Sequence, residues 1–226
     1  MNWEEECYLL SKKKFRENAN IINVLSRSKG KISGVVYGGN SRKIRNYLQL
    51  SNKLYVIYNS KNENRMGYFK TELIKPISPL YFNDKERTSA LISICSLLNY
   101  LLPESQPNKS IYISFDKFLN SLNYENWIIL YIYFELNLIK LLGYDPNLKN
   151  FKNDDNLSQN IKKIKIDTFT YEVPEFLISN VIPENLPNNL IKKSLYFTRN
   201  IIQNRFFLPN NLPFPKSRIL LESYFN

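Results

Sequence analysis

Fifteen lysines and arginines lie between Lys12 and Lys75, against three acids, Glu17, Glu63 and Glu72. They fall in clusters: Lys12, Lys13, Lys14 and Arg16; Arg27, Lys29 and Lys31; Arg42, Lys43 and Arg45. Cations at this density hold a phosphate backbone, and aromatic rings beside them offer stacking faces to unpaired bases. Phe15, Tyr37 and Tyr47 stand beside the clusters and are the stacking candidates. The whole chain of 226 residues carries a net charge of +11. Residues 1–80 hold 15 Lys+Arg against 6 Asp+Glu, and residues 81–226 hold 16 against 14. Coding bias toward lysine would spread the excess along the chain. Its concentration in the first third points to a nucleic-acid surface, with Lys12, Lys13, Lys14, Arg16, Arg27, Lys29, Lys31, Tyr37, Arg42, Lys43 and Arg45 as its expected residues.

Other chemistries find little support. There is no histidine, which removes the commonest general base and metal ligand together. Cys7 and Cys95 are too far apart in sequence for a zinc knuckle and read as two buried small side chains. Asp154-Asp155 sit among Asn, Lys and Ser and read as a solvated loop, since two adjacent carboxylates do not make a two-metal site. Gly38-Gly39 lacks the Gly-Lys-Ser/Thr ending of a phosphate loop and reads as a turn. The expectation is a protein without catalytic residues, metal, cofactor or small-molecule substrate. The acidic start, Glu4-Glu5-Glu6, is unlike a leader, and no apolar run approaches membrane-spanning length. A cytoplasmic protein is expected.

The elements that position the basic residues read as two groups. Five short strands are expected in residues 1–78: Glu6–Lys14, Asn20–Arg27, Lys31–Tyr37, Leu48–Asn59 and Arg65–Lys75. A Ser28-Lys29-Gly30 turn and an Asn59–Asn64 turn separate neighbours, and Ser41–Asn46 is a polar basic connector. Such spacing suits a closed OB-type barrel. From Asp84, the expected N-cap, the apolar period changes to three and four, and Pro103 ends the first helix. Helices are then expected at 111–122, 124–142, 174–180, 190–208 and 215–225, with a polar loop over 145–168. The fold class is α+β, an N-terminal five-stranded OB-type β-barrel (1–78) followed by an all-α helical domain (79–226).

Four stretches resemble the bacterial RecO family: Phe15-Arg16-Glu17-Asn18; Val36 through Lys43 with Leu48-Gln49; Phe134-Glu135-Leu136 through Leu142-Gly143-Tyr144; and Phe197-Thr198-Arg199 with Lys216-Ser217-Arg218. They occur in the family's order across nearly the whole chain. The resemblance implies a recombination mediator in DNA repair that is not an enzyme. Such a protein binds single- and double-stranded DNA and the C-terminal tail of single-strand-binding protein, anneals complementary strands, and helps load recombinase with RecR at the nucleoid. Lys192, Lys193 and Arg199 on one helix are the expected partner-binding residues for that acidic, hydrophobic tail. The cysteine cluster that many members carry after Leu-Gly-Tyr is missing from residues 145–168, so no metal is implied. Ile132 and Tyr133 replace basic residues that some members carry before Phe-Glu-Leu. The rival readings are an RNA-binding OB-fold protein, a DNA-processing enzyme with an OB module, and a structural adaptor whose basicity is codon bias.

Overall fold

A computed structural model of the chain describes residues 2–61, 66–151, 160–183 and 185–225. Its first five strands are β1 (Asn2–Arg16), β2 (Ala19–Ser26), β3 (Gly30–Tyr37), β4 (Lys53–Asn59) and β5 (Gly67–Lys75), with helix α1 (Arg42–Tyr47) between β3 and β4. They close into a barrel in the order β1-β2-β3-β5-β4, β4 returning to pair with β1. All pairings are antiparallel except β3 with β5, which closes the barrel through the parallel pairs Gly34–Gly67 and Val35–Tyr68. The expected barrel is present. Of the turn expected at 59–64, residues 62–64 lie outside the described residues.

Period-two alternation explains which residues fill it. Along β4, Leu54, Val56 and Tyr58 point inward and are buried while their neighbours are half-buried. Cys7, Leu9, Ile22, Val24, Val36 and Phe69 join them in one core, with Trp3 stacked on Tyr58 at 5.3 Å. Burying each such side chain is worth about 1.5–3 kcal/mol. β1 is much longer than expected and carries two irregularities, between Leu9 and Ser11 and between Lys14 and Arg16. Such bulges bend a strand and strengthen its twist, which a small barrel needs to close.

Helices follow: α2 (Lys85–Leu101), α3 (Lys109–Ser121), α4 (Trp127–Leu141), α5 (Glu175–Ser179), α6 (Asn188–Ile202) and α7 (Lys216–Ser223). Asp84 caps α2 as expected, accepting from the Arg87 N–H at 2.9 Å. Among the described residues no helix is long and apolar enough to cross a membrane. Compactness divides the chain later than the switch from strand to helix does. One unit holds the residues up to 120 with 215–218, and the other holds 121–214 with the residues from 219 on. α2 and α3 belong to the barrel's unit because they cover the outward side of β1. Tyr8 packs on Tyr112 and Phe115, its hydroxyl donates to the Asp116 carboxylate, and the Cys95 thiol points at the Leu9 carbonyl, 3.8 Å away. Both cysteines are buried free thiols, and burial pushes the Cys95 thiol up to about 12.

In the second unit α4 is buried on most sides and packs against α6, where the fully buried Glu135 accepts from the Thr198 hydroxyl at 2.5 Å. α6 runs on into a wider π turn over Gln203–Phe207. The polar loop expected at 145–168 needs correction. Its last part forms β6 (Ile161–Ile166), which pairs with β7 (Phe169–Pro174) in a two-stranded antiparallel hairpin. Ile164 and Ile166 are buried while Lys163 and Lys165 are exposed, an alternation legible in the sequence but short and set among polar residues. Residues 152–159, Asp154-Asp155 among them, lie outside the described residues.

Candidate nucleic-acid interface

The sequence clusters divide between the two ends of β2. The β1–β2 turn lies at one end and the β2–β3 turn at the other, eight strand residues apart, roughly 23 Å along the strand. Lys12, Lys13, Lys14, Arg16 and Tyr37 gather at the first end. Arg27, Lys29 and Lys31 gather at the second.

The connector after β3 adds its charges to the first end, and local chemistry explains why. Gly38, at φ +71°, turns the chain back, and its N–H donates to the Asn18 carbonyl at 2.8 Å. Asn40 reaches over the hairpin tip to the Glu17 carbonyl at 2.8 Å and accepts from the Asn20 side chain at 3.0 Å. Gly39 leaves room for this junction, since a Cβ there would sit 2.5 Å from Asn20 Nδ2. Ser41 then caps α1, accepting from the Ile44 N–H at 3.5 Å. The connector is therefore a helical turn tied to the β1–β2 hairpin. Ile44 and Tyr47 lie against the barrel core, and Tyr47 Oη donates to the Thr71 carbonyl at 2.6 Å. Arg42, Lys43 and Arg45 are left exposed on the opposite side.

Lys12 and Lys14 oppose Ile22 and Asn20 across the β1–β2 ladder, so they point to the face on which α1 sits. Lys13 opposes Ile21 and points to the outer face. Burial of its stem, and then the positive charge of Arg45, hold the Lys12 ammonium below the usual lysine range. The only acid within this stretch of hairpin tip and connector is Glu17. Folding here brings like charges together, which costs stability unless an anion neutralises them.

The other end is different. The Glu5 carboxylate binds the β2–β3 turn, accepting from the Ser28 N–H at 3.1 Å, the Ser28 hydroxyl at 2.7 Å and the Ser26 hydroxyl. Lys31 Nζ donates to the Asn99 carbonyl at 2.7 Å, and the Ser105 N–H donates to the Lys31 carbonyl. Glu104 accepts from the Ser33 N–H at 2.5 Å and hydroxyl at 3.1 Å. Burial lowers the Lys31 ammonium while Glu104 pulls it back up. Arg27 is exposed, but Lys29 and Lys31 are half-covered in a turn fastened to the loop between α2 and α3. Two carboxylates and a set of hydrogen bonds engage this end, and α2 with its following loop covers it.

The aromatic candidates also separate. Tyr47 faces the core. Phe15 is exposed beneath the Arg16 guanidinium, 5.1 Å from its ring centre. Tyr37 is 60% exposed and touches Tyr68, a neighbour not evident from the sequence because Tyr68 is distant along the chain and lacks a basic cluster of its own.

In the second unit the three expected partner residues have different surroundings. Lys193 pairs with Glu172, which holds that carboxyl below the usual range. Arg199 pairs with Glu222 at 3.0 Å and lies 4.7 Å over the Tyr196 ring. Lys192 is exposed. A cavity of about 540 Å³ opens elsewhere in this unit, lined by Tyr133, Leu136, Asn137 and Lys140 of α4, residues 145–150, and Leu177, Ile178 and Asn180. The spacing of Tyr133, Leu136, Asn137 and Lys140 along one helix face was the available sequence signal.

The sequence itself resembles those of known proteins. Residues 1–77 match the family model described as recombination protein O N terminal, and residues 83–151 match recombination protein O C terminal. The chain is 32% identical over 145 residues to the DNA repair protein RecO of Roseobacter denitrificans, covering 64% of this chain and 60% of that protein. It is 25% identical to the DNA repair protein RecO of a Wolbachia from Drosophila simulans, an alignment covering 99% of this chain and 100% of that protein. The protein of the same name from Ehrlichia chaffeensis is 29% identical over 150 residues. With both family models matched in order and an alignment that runs its full length, the chain belongs to the RecO family of DNA repair proteins.

Proposed function

We propose that this chain is a recombination mediator that binds single- and double-stranded DNA through the hairpin-and-α1 end of its barrel, and brings complementary strands together without bond chemistry. The observation that carries the reading is the convergence of two basic segments, Lys12–Arg16 and Arg42–Arg45, on one end of the barrel with Lys12 and Arg45 in each other's field. Their charges fit a run of phosphates, which positions a strand without reading its sequence. Arg27, Lys29 and Lys31 contribute less in this reading, since Glu5 and Glu104 lie among them.

The helical part would dock single-strand-binding protein, whose acidic, hydrophobic tail suits a surface where cations border apolar side chains. Lys192 and the cavity beside Lys140, Leu136 and Leu177 are the supporting features. Family membership is the support for cooperation with RecR and for action at the nucleoid in the cytoplasm.

The test is annealing of two labelled complementary oligonucleotides, bare or coated with the cognate single-strand-binding protein, at low and moderate salt. Annealing of coated strands that weakens with salt is the expected result. Annealing of bare strands alone would discard the partner contact and keep the DNA surface. Absence of binding even at low salt would end the mediator reading.

A further inference from the structure

Tyr37 and Tyr68 lie on the outer face of the barrel where β3 and β5 meet. Their ring centres are 6.2 Å apart at an interplanar angle of 54°. Tyr37 is 60% exposed and Tyr68 40%. The alternation of β5 explains why Tyr68 faces out: Gly67 and Phe69 on either side of it are buried, Phe69 against Tyr58 and Trp3 in the core. The barrel interior thus has its own aromatic cluster, and the outer pair adds nothing to it. Two tyrosines meeting at a tilt use one edge of the contact and leave flat ring surface toward solvent.

Their placement relative to the cations gives the pair a ligand. Tyr37 is paired with Ala19, and Ala19 with Arg16, so Arg16, Ala19 and Tyr37 form a row across three adjacent strands. At about 4.8 Å per strand, Arg16 and Tyr37 stand roughly 10 Å apart at the backbone. Lys13 projects from the same outer face, opposite Ile21, which is itself paired with Val35. Val35 in turn pairs with Tyr68. Cations therefore line one side of this face and exposed rings the other.

We propose that Tyr37 and Tyr68 form a base-stacking subsite that distinguishes an unpaired strand from a duplex. The inference rests on the DNA-binding reading of the adjacent basic end and deepens it. Phosphates of either form of DNA satisfy the cations, but only an unpaired base offers its face to a ring, because duplex bases are already stacked.

The experiment compares three ligands at one moderate salt concentration: an oligothymidylate of about twenty nucleotides, an abasic oligomer of the same length, and a duplex of the same length. The proteins are the full chain and its Tyr37→Ala, Tyr68→Ala and Tyr37→Phe variants, each checked for an unchanged thermal midpoint. The full chain should prefer oligothymidylate over the abasic strand by about fivefold to a hundredfold. Both alanine variants should lose most of that preference while keeping their affinity for the abasic strand and the duplex, and Tyr37→Phe should retain it. Equal binding of oligothymidylate and abasic strand by the full chain would overturn the stacking subsite and leave the phosphate surface standing. So would an equal loss on all three ligands in a folded alanine variant. Failure of the full chain to bind any of them, even when the salt is then lowered, would overturn the DNA reading and the subsite together. If Tyr68→Ala lowers the thermal midpoint, Tyr68→Leu keeps the bulk without the aromatic face and should lose the same preference.

Discussion

Lys12 on β1 and Arg45 on α1 carry like charges and are folded into one another's field, so that burial and the Arg45 guanidinium both hold the Lys12 ammonium below the usual lysine value of 10.5. The juxtaposition follows from how α1 is seated on the barrel. The hydrogen bonds from Asn40 and Gly38 to the β1–β2 turn fix α1 in this place, and Ile44 holds its inner side to the core. A surface so arranged trades some stability for affinity toward a polyanion.

That trade has a measurable form. Arg45→Gln is expected to raise stability slightly, by no more than about 0.5 kcal/mol because both side chains reach solvent. The same variant should weaken binding of single-stranded DNA by several-fold at low salt. Thermal melting and a fluorescence-anisotropy titration on one preparation check both signs. A variant that loses stability and affinity together would show that Arg45 supports the fold instead.

The two ends of β2 should differ in salt dependence. For a single strand, every phosphate that the protein no longer neutralises lowers the slope of log affinity against log salt by about 0.7. A Lys12→Gln, Lys14→Gln, Arg45→Gln triple variant should therefore flatten the slope by up to about 2. Arg27→Gln with Lys29→Gln should leave it nearly unchanged, because Glu5 holds that turn and Glu104 lies beside it. A slope that responds equally to both sets would spread the DNA over the whole barrel.

The expectation of a barrel came from turn spacing and β-branched strands, and both are local properties. The identity of its basic face was only half legible. Lys31 and Lys43 look alike in sequence, and what separates them is Asn99 and Glu104, brought to Lys31 by α2 and the loop that follows it. The helical character of residues 42–47 was hidden for a similar reason: so short a helix does not form by itself and depends on Ser41, Ile44 and Tyr47 docking on the core. Tyr68 carries no signal of its own in the sequence, because Tyr37 belongs to a strand that reaches it only through barrel closure. The β6–β7 hairpin is weakly signalled because Lys163-Ile164-Lys165-Ile166 alternates over only four residues and lysine is depleted in strands.

Lowering of the Lys12 ammonium also gives DNA binding a pH signature. A bound phosphate raises the pKa of a neighbouring lysine, so complex formation holds the Lys12 proton to higher pH than the free protein does. As pH rises through the free-state value, affinity should fall, and it should do so below the range of ordinary lysines. Stability moves the opposite way there: a lysine whose folded value lies below its unfolded value binds fewer protons when folded, so the fold gains stability as pH rises. Loss of affinity in this window would therefore not be unfolding. Lys12→Arg should remove the early fall, and Lys31→Arg should leave it in place, since Lys31 is lowered by burial at the other end of β2. Titrations of oligothymidylate binding from neutral to alkaline pH distinguish the two variants.

Gly39 tests whether the seating of α1 matters to binding. A methyl group there would stand 2.5 Å from Asn20 Nδ2 and 3.2 Å from the Val36 carbonyl, so Gly39→Ala must push apart the Asn20–Asn40 pair that fastens the connector to the hairpin. Overpacking of this kind costs about 1–3 kcal/mol. It should also weaken DNA binding, because Arg42, Lys43 and Arg45 move with α1, although no charge has been removed. Asn20→Ala alone loses the hydrogen bond to Asn40, yet in the Gly39→Ala background it also removes the clashing amide. The two substitutions should therefore be less harmful together than their separate effects predict, a coupling of about 0.5–3 kcal/mol in a double-mutant cycle. Additive losses in stability would mean that the strain falls on the Val36 backbone instead, and unchanged DNA affinity in a destabilised Gly39→Ala protein would show that binding does not depend on where α1 sits.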